Sequence, residues 1–410
     1  MVRLGAVSRM PARRAGSFRH IAITLAVLFG AALAHPPHAI ASRRHHARTA
    51  EDQTATSSAA AYVAACVIEP TTGTLIFEKN DHQPWPTASL TKMMVMLIVA
   101  EKLHDGSLKL TDQVTTSRKA AQMGGSQVYL KEGETFSLDD SMKALVVHSA
   151  NDSAVAIAEY VAGSTEAFVQ MMNQRAAELG MKDTHYYSVH GLPPGRGQQA
   201  DVASAYDQAL LARELVKYPD ILRWSSIDTA PFRNGTFELR NTNHLVRTYK
   251  GCDGLKTGFY DKAGFNVVAT AHRGGMRLIA VVLGTPHKLT NFKEAAELMS
   301  QGFLDYEMRT VAAKGAPVKQ AVTVTGGAAA SLTPVFGGDA AVFVKRSAAK
   351  NALQVVYNLP PSVAAPVSAG QQIGTANIVQ DGKPVASVSL VAPAEVAKQG
   401  SALKRIFGKL

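Results

Sequence analysis

The chain has 410 residues, 46% of them hydrophobic, and a formal net charge of +11. That length and apolar content allow a large core and more than one domain, and they exclude a disordered chain. The charge sits at the two ends: eight arginines and no acid lie within residues 1–48, Lys398, Lys404, Arg405 and Lys409 face Glu395 within residues 394–410, and the stretch between is neutral. This pattern argues for anionic lipid near the termini and against a nucleic-acid-reading face.

The chain opens on Arg3, Arg9, Arg13, Arg14 and Arg19, followed by an apolar run over residues 21–34 that is too short to span a bilayer comfortably. This is the pattern of an export signal covering residues 1–41. Cleavage after Ala41 is favoured over Ala34, because Pro36 crowds the earlier small-x-small site; an uncleaved anchor is the alternative. Residues 42–60, basic and then rich in Thr, Ser and Ala, read as a flexible tether.

Order begins at Ala61, where residues 62–68 and 75–79 form an opening hairpin around Thr72-Gly73. Residues 88–103 are apolar almost all round, which predicts a helix buried on every side. A second apolar helix fits residues 141–162, and amphipathic helices fit 166–179 and 204–217. Strands return over 264–270 and 277–284 around a turn at 272–275, and a last helix fits 291–303. These elements assign residues 61–311 to one large domain.

From Ala312 the composition shifts to short β-rich runs punctuated by Gly and Pro, a small all-β module over residues 312–392. Residues 393–410 end with Leu403, Ile406, Phe407 and Leu410 at helical spacing and Lys404, Arg405 and Lys409 elsewhere on the wheel. They read as a basic amphipathic helix lying on an anionic membrane, with packing on the β module as the alternative. The only cysteines are Cys66 and Cys252. Pairing is open to an exported protein, while the apolar run around Cys66 suits a small buried thiol.

Three short segments carry chemistry. Ser89-Leu90-Thr91-Lys92 sets a hydroxyl and an amine on one side of a helix start. A serine is a weak nucleophile until a base takes its proton, and a lysine serves as that base only when burial and a nearby cation lower its pKa. Ser149-Ala150-Asn151 offers a second hydroxyl and an amide, and Lys256-Thr257-Gly258 a fixed cation, a hydroxyl and a glycine that admits close backbone approach. Each alone is weak, since Ser and Asn commonly cap helices and S-x-x-K is frequent. The ordered set, about 60 and then about 100 residues apart, is the signature of penicillin-interacting serine enzymes. His185, His190, His244 and His272 lack metal-ligand spacing, so no metal or cofactor is expected.

The stretches PTASLTKMM, HSANDSAVAIAEYVAGS, VHGL, CDGLKTG and AGFNVVATAHRGGMRLIAVVLG resemble the D-alanyl-D-alanine carboxypeptidase family of low-molecular-mass penicillin-binding proteins. The likeness spans residues 61 to about 303, and the order of β module and terminal helix is similar. It implies an α+β fold of the penicillin-binding/β-lactamase type, an antiparallel sheet flanked by helices, followed by a small all-β domain and a C-terminal amphipathic helix. The implied activity is removal of the terminal D-alanine from peptidoglycan stem peptides through an acyl-enzyme on Ser89, which β-lactams would also acylate, in the periplasm at the outer face of the inner membrane.

The resemblance carries over roles residue by residue. Ser89 attacks, Lys92 takes its proton, Ser149 relays a proton to the leaving amine, and Asn151 binds the substrate amide and Lys92. Lys256 and Thr257 hold the terminal carboxylate, Gly258 admits the substrate, and the N–H groups of Ser89 and Phe259 form the oxyanion hole. The chain departs from the pattern at Phe259 after K-T-G, at Pro193 after H-G-L, and at Asn291, where relatives carry an arginine that Lys288 or Arg247 would replace. A D,D-endopeptidase, a β-lactamase and a non-catalytic wall-binding scaffold are the other readings. The absence of any Leu-Asn dipeptide speaks against the lactamase, and the intact catalytic set against the scaffold.

Overall fold

The computed structural model describes residues 61–349 and 352–400; the signal, the tether and the terminal Leu403 to Leu410 stripe lie outside these. The predicted hairpin is β1 (Ala64–Glu69) and β2 (Thr74–Lys79). Three late strands, β3 (Cys252–Tyr260), β4 (Gly264–Arg273) and β5 (Met276–Thr285), complete an antiparallel sheet of order β2-β1-β5-β4-β3. The β4–β5 connection is a two-residue turn at Gly274-Gly275, both at positive φ, the geometry that matches strand twist and that glycine adopts without strain.

Strand alternation divides the core. Cys66, Ile68, Val268, Ile279, Val281 and Leu283 face a large helical layer. Ala65, Val67, Val267, Ala269, Leu278 and Ala280 face Ala295 and Met299 of the helix Thr290–Asp305. With both faces covered, β1 is buried at all six positions, which is why its sequence runs apolar instead of alternating.

The helical layer centres on α1 (Lys92–His104), whose first nine residues are all buried. It packs with α2 (Leu138–Val147), α3 (Asn151–Ala162), α4 (Thr165–Glu178) and α5 (Ala205–Leu215). The single apolar helix expected over residues 141–162 is two helices, α2 and α3, broken at residues 148–150. Ser149 there takes φ +64, a left-handed conformation that costs a non-glycine residue free energy and recurs at functional sites. Apolar runs lie on both sides of the break, ending at Val147 and resuming at Ala154, with the polar stretch His148 to Ser153 between them.

The all-β module begins earlier than its composition suggests. The strand Tyr306–Ala312 follows the last helix directly and pairs with Ala340–Lys345, so residues 306–311 belong to the β module. The expected Asp381-Gly382 hairpin joins Gln372–Gln380 to Lys383–Val391. Residues 393–400 are not helical: Val396 bridges Val367 and Lys398 bridges Gly327, and the Val396 side chain lies in the module's core. Cys66 and Cys252 are free buried thiols on opposite faces of the central sheet, so they do not pair.

Candidate active site

Ser89 lies in a 3-10 turn, Ala88–Thr91, that leads into α1. The turn is held from three sides. Thr87 N–H donates to Asp201 O at 3.1 Å, the Asn266 amide donates to Pro86 O at 2.9 Å, and the hydroxyls of Thr87 and Thr91 are 2.8 Å apart. Gly258 of β3 presses against it: a Cβ there would stand 2.5 Å from Thr87 O and 3.1 Å from Ser89 N. Glycine is therefore required so that the edge strand can reach the nucleophile. Gly191 is equally constrained, at φ +75 with Ala88 O where a side chain would start.

Lys92 Nζ sits 3.0 Å from Ser89 Oγ and donates to His190 O at 2.7 Å. Its side chain is wholly buried. Burial, reinforced by the charge of Lys256, holds its pKa well below the ordinary lysine value, against a weaker opposite pull from Asp201 and Asp152. The result is an amine that can be neutral, with one N–H on a carbonyl and its lone pair free for the serine proton.

Ser149 turns its hydroxyl to Lys256 Nζ, which donates to it at 2.8 Å and to Thr257 O at 3.1 Å. Lys256 is 1% exposed, and burial pushes its pKa down to about 7. The Thr257 hydroxyl donates to Thr242 Oγ1 at 2.7 Å. Asn151 differs from its expected contact: its Nδ2 donates to Gly124 O at 2.7 Å instead of joining Lys92, and its buried Oδ1 has no partner among the described residues. An unmatched acceptor in a cleft is the kind a substrate N–H completes.

Ser89, Lys92, Ser149, Lys256, Thr257 and Gly258 thus form one linked cluster with Asn151 on its helical wall. β3 is the last strand in the sheet order, leaving one edge available for an extended peptide. Phe259 projects from that edge, 52% exposed, with its ring stacked on Phe265 at 4.1 Å. Asn291 is buried and donates to Asn266 O at 3.3 Å, inside the fold. Arg247 and Lys288 both lower the pKa of His244 after burial does, which sets them around one exposed rim; Arg247 also pairs with Asp228 at 3.4 Å.

Four supporting residues escaped the sequence reading. The buried carboxylate of Asp152 accepts N–H bonds from Val128 and Leu130 at 3.0 Å each, fixing the loop that carries Gly124. Asp201 accepts from the N–H of Tyr187 and Ser188 and from the Ser188 hydroxyl, fixing the loop that carries His190. Asn266 and Thr242 anchor the serine turn and Thr257. Asp152 and Asn266 lie inside the motif stretches; Asp201 and Thr242 give no local signal, because their role exists only in three dimensions.

A serine bonded to a buried lysine, with a second serine bonded to a second buried lysine, between an antiparallel sheet and a helical layer, defines a serine acyl-transfer enzyme of the penicillin-binding fold. Residues 48–287 match the family model described as D-alanyl-D-alanine carboxypeptidase, peptidase S11, and residues 306–398 match that of the penicillin-binding protein 5 C-terminal domain. The chain belongs to the D-alanyl-D-alanine carboxypeptidase family of serine peptidases. It is 34% identical over 349 residues to D-alanyl-D-alanine carboxypeptidase DacF of Bacillus subtilis, covering 84% of this chain and 88% of that one. Among solved structures, a peptidoglycan synthesis regulatory factor (PBP3) from Streptococcus pneumoniae superposes with TM-score 0.73 at 27% identity, over 82% of this chain and 99% of that one. Ampicillin-bound penicillin-binding protein D2 from Listeria monocytogenes does so with TM-score 0.54 at 32% identity, over 59% and 97%.

Proposed function

We propose that Ser89 is the nucleophile that removes the terminal D-alanine of peptidoglycan stem peptides, with Lys92 as its base. The observation that carries this reading is the 3.0 Å contact between Ser89 Oγ and a fully buried Lys92 Nζ. Neutral Lys92 takes the hydroxyl proton while its other hydrogen stays on His190 O, and Ser89 Oγ attacks the carbonyl between the last two D-alanines. The backbone N–H groups of Ser89 and Phe259 stabilise the tetrahedral oxyanion, the largest single term in most acyl transfers. Ser149 passes to the departing amine the proton that Lys92 took from Ser89, which leaves Lys92 neutral for the second half-reaction, and Lys256, bonded to Ser149 at 2.8 Å, keeps its charge for the substrate carboxylate. Lys256 and Thr257 receive the substrate carboxylate, and Asn151 Oδ1 accepts an amide N–H from the acyl side. Water then hydrolyses the ester.

The same serine is acylated by β-lactams, whose strained amide mimics the scissile bond. The enzyme acts in the periplasm, held at the outer face of the inner membrane by the basic stripe of residues 401–410. A pentapeptide ending in D-alanyl-D-alanine tests the reading: the full chain releases D-alanine and takes up a fluorescent penicillin, and Ser89→Ala does neither. Release that persists in Ser89→Ala, or wild-type protein that stays dark, refutes it.

A further inference from the structure

We propose that the cavity behind the His190 loop binds an N-acetylated sugar of the glycan strand that bears the stem peptide, an inference that rests on the carboxypeptidase reading. This cavity, of about 600 Å³, opens between α3, α4 and residues 185–201, a size suited to a small ligand. It is not the catalytic cleft but shares a wall with it. His190 lines the cavity while its carbonyl holds Lys92 at 2.7 Å. Leu192 lines it too, and reaches so close to Gly125 that a Cβ there would stand 2.9 Å from Leu192 Cδ2 and 2.8 Å from Asn151 Nδ2.

Its chemistry selects a neutral, amide-bearing and partly apolar guest. The charges of the wall are already answered: Lys119 bonds Glu166 at 2.8 Å, and the Asp201 carboxylate is occupied by Tyr187 N–H, Ser188 N–H and the Ser188 hydroxyl. Burial and the nearby Lys92 hold the His190 imidazole down at about 4, so it too is uncharged near neutral pH. The carboxylates and amines of a stem peptide would find no free counter-charge here. The glycan strand is the part of the substrate that is rich in hydroxyls and acetamido groups.

Tyr187 is 44% exposed and leans on His185 at 4.3 Å, and its hydroxyl bonds the Gln199 amide. An exposed aromatic face, a side-chain amide and an apolar floor that includes Val155 and Val169 suit a pyranose ring and its acetyl methyl. Such contacts ask little entropy of the protein, because a tyrosine ring has few rotamers to lose.

The test compares D-alanine release by the full chain from a disaccharide pentapeptide and from the same pentapeptide without sugar. Wild type should prefer the sugar-bearing substrate about ten-fold in kcat/KM, through KM. Tyr187→Ala should cut that preference at least five-fold while the sugar-free rate stays within two-fold, and Tyr187→Phe should keep it. Equal rates on both substrates in wild type, or an unchanged preference in Tyr187→Ala, overturns the proposal. Saturation-transfer NMR of the free N-acetylglucosamine–N-acetylmuramic acid disaccharide on penicillin-acylated wild type gives a readout independent of the variants. Binding should survive acylation, since the guest lies outside the blocked cleft, and its absence overturns the proposal. Loss of release from both substrates in wild type would instead sink the carboxypeptidase reading, leaving the binding experiment to decide the sugar site.

Discussion

Replacing Lys256 with methionine should make the protein more stable and nearly inactive. Burial lowers this lysine from 10.5 to about 7, and at 1.36 kcal/mol per unit this corresponds to about 5 kcal/mol of destabilisation wherever the unfolded lysine is charged and the folded one must be too. The variant also removes two donors, to Ser149 Oγ and Thr257 O, at about 2 kcal/mol. The net gain near pH 6 is about 3 kcal/mol, a rise of roughly 6 °C in Tm for a domain of this size. The folded pKa lies below the unfolded one, so the cost is complete below pH 7, fades between 7 and 10.5, and is absent above that. The advantage of Lys256→Met should therefore shrink by about 3 kcal/mol between pH 6 and pH 9, approaching parity. Thermal unfolding at the two pH values reads this directly. Acylation by a fluorescent penicillin should meanwhile drop roughly 100-fold, the loss of a charge-assisted hydrogen bond in a dry cleft. A variant less stable than wild type at pH 6, or an advantage that ignores pH, would refute the reasoning.

The acylation rate should follow a bell-shaped pH profile, because Lys92 must be neutral and Lys256 charged: it falls as acid protonates Lys92, and falls again as base discharges Lys256 near its value of about 7. Lys256→Arg should flatten the alkaline limb, and stopped-flow acylation across pH checks both limbs. Gly258→Ala places a methyl 2.5 Å from Thr87 O and should slow acylation at least ten-fold by displacing the serine turn; a rate within two-fold of wild type would mean that the turn yields. Truncation after Gly400 removes the basic stripe while sparing Val396 in the β-module core. It should release the protein from membranes with unchanged Tm, as fractionation and calorimetry can establish.

The strongest sequence signals were those with the least freedom. The all-round apolar α1 could be nothing but buried, and Lys92 on it had to be desolvated, so the site's central feature followed from hydropathy plus three tripeptide-scale motifs. Asn151 was found by its motif, but its partner was not: whether its amide meets Lys92 or Gly124 depends on the loop that Asp152 pins from the next position. The break at Ser149 carries no Gly or Pro, and its signal is the polar run His148 to Ser153, whose Ser, Asn and Asp are helix-capping types that the apolar runs on either side outweigh. The domain boundary slipped from 306 to 312 because the strand Tyr306–Ala312 is half-buried and mixed in composition, so pairing and not residue type assigns it to the β module. Residues 393–400 looked like the start of the basic helix only because charge was counted there without regard to Val396.

The separation of the two thiols has a consequence for how the protein is made. Cys66 packs under the helical layer, where burial pushes its thiol far up, and Cys252 lies beneath the other sheet face with its own thiol raised to about 11. Neither forms the reactive thiolate at neutral pH, and a whole β-sheet stands between them. The native form contains no disulfide to be made or rearranged. A reducing host compartment should therefore yield the same active enzyme as an oxidising one.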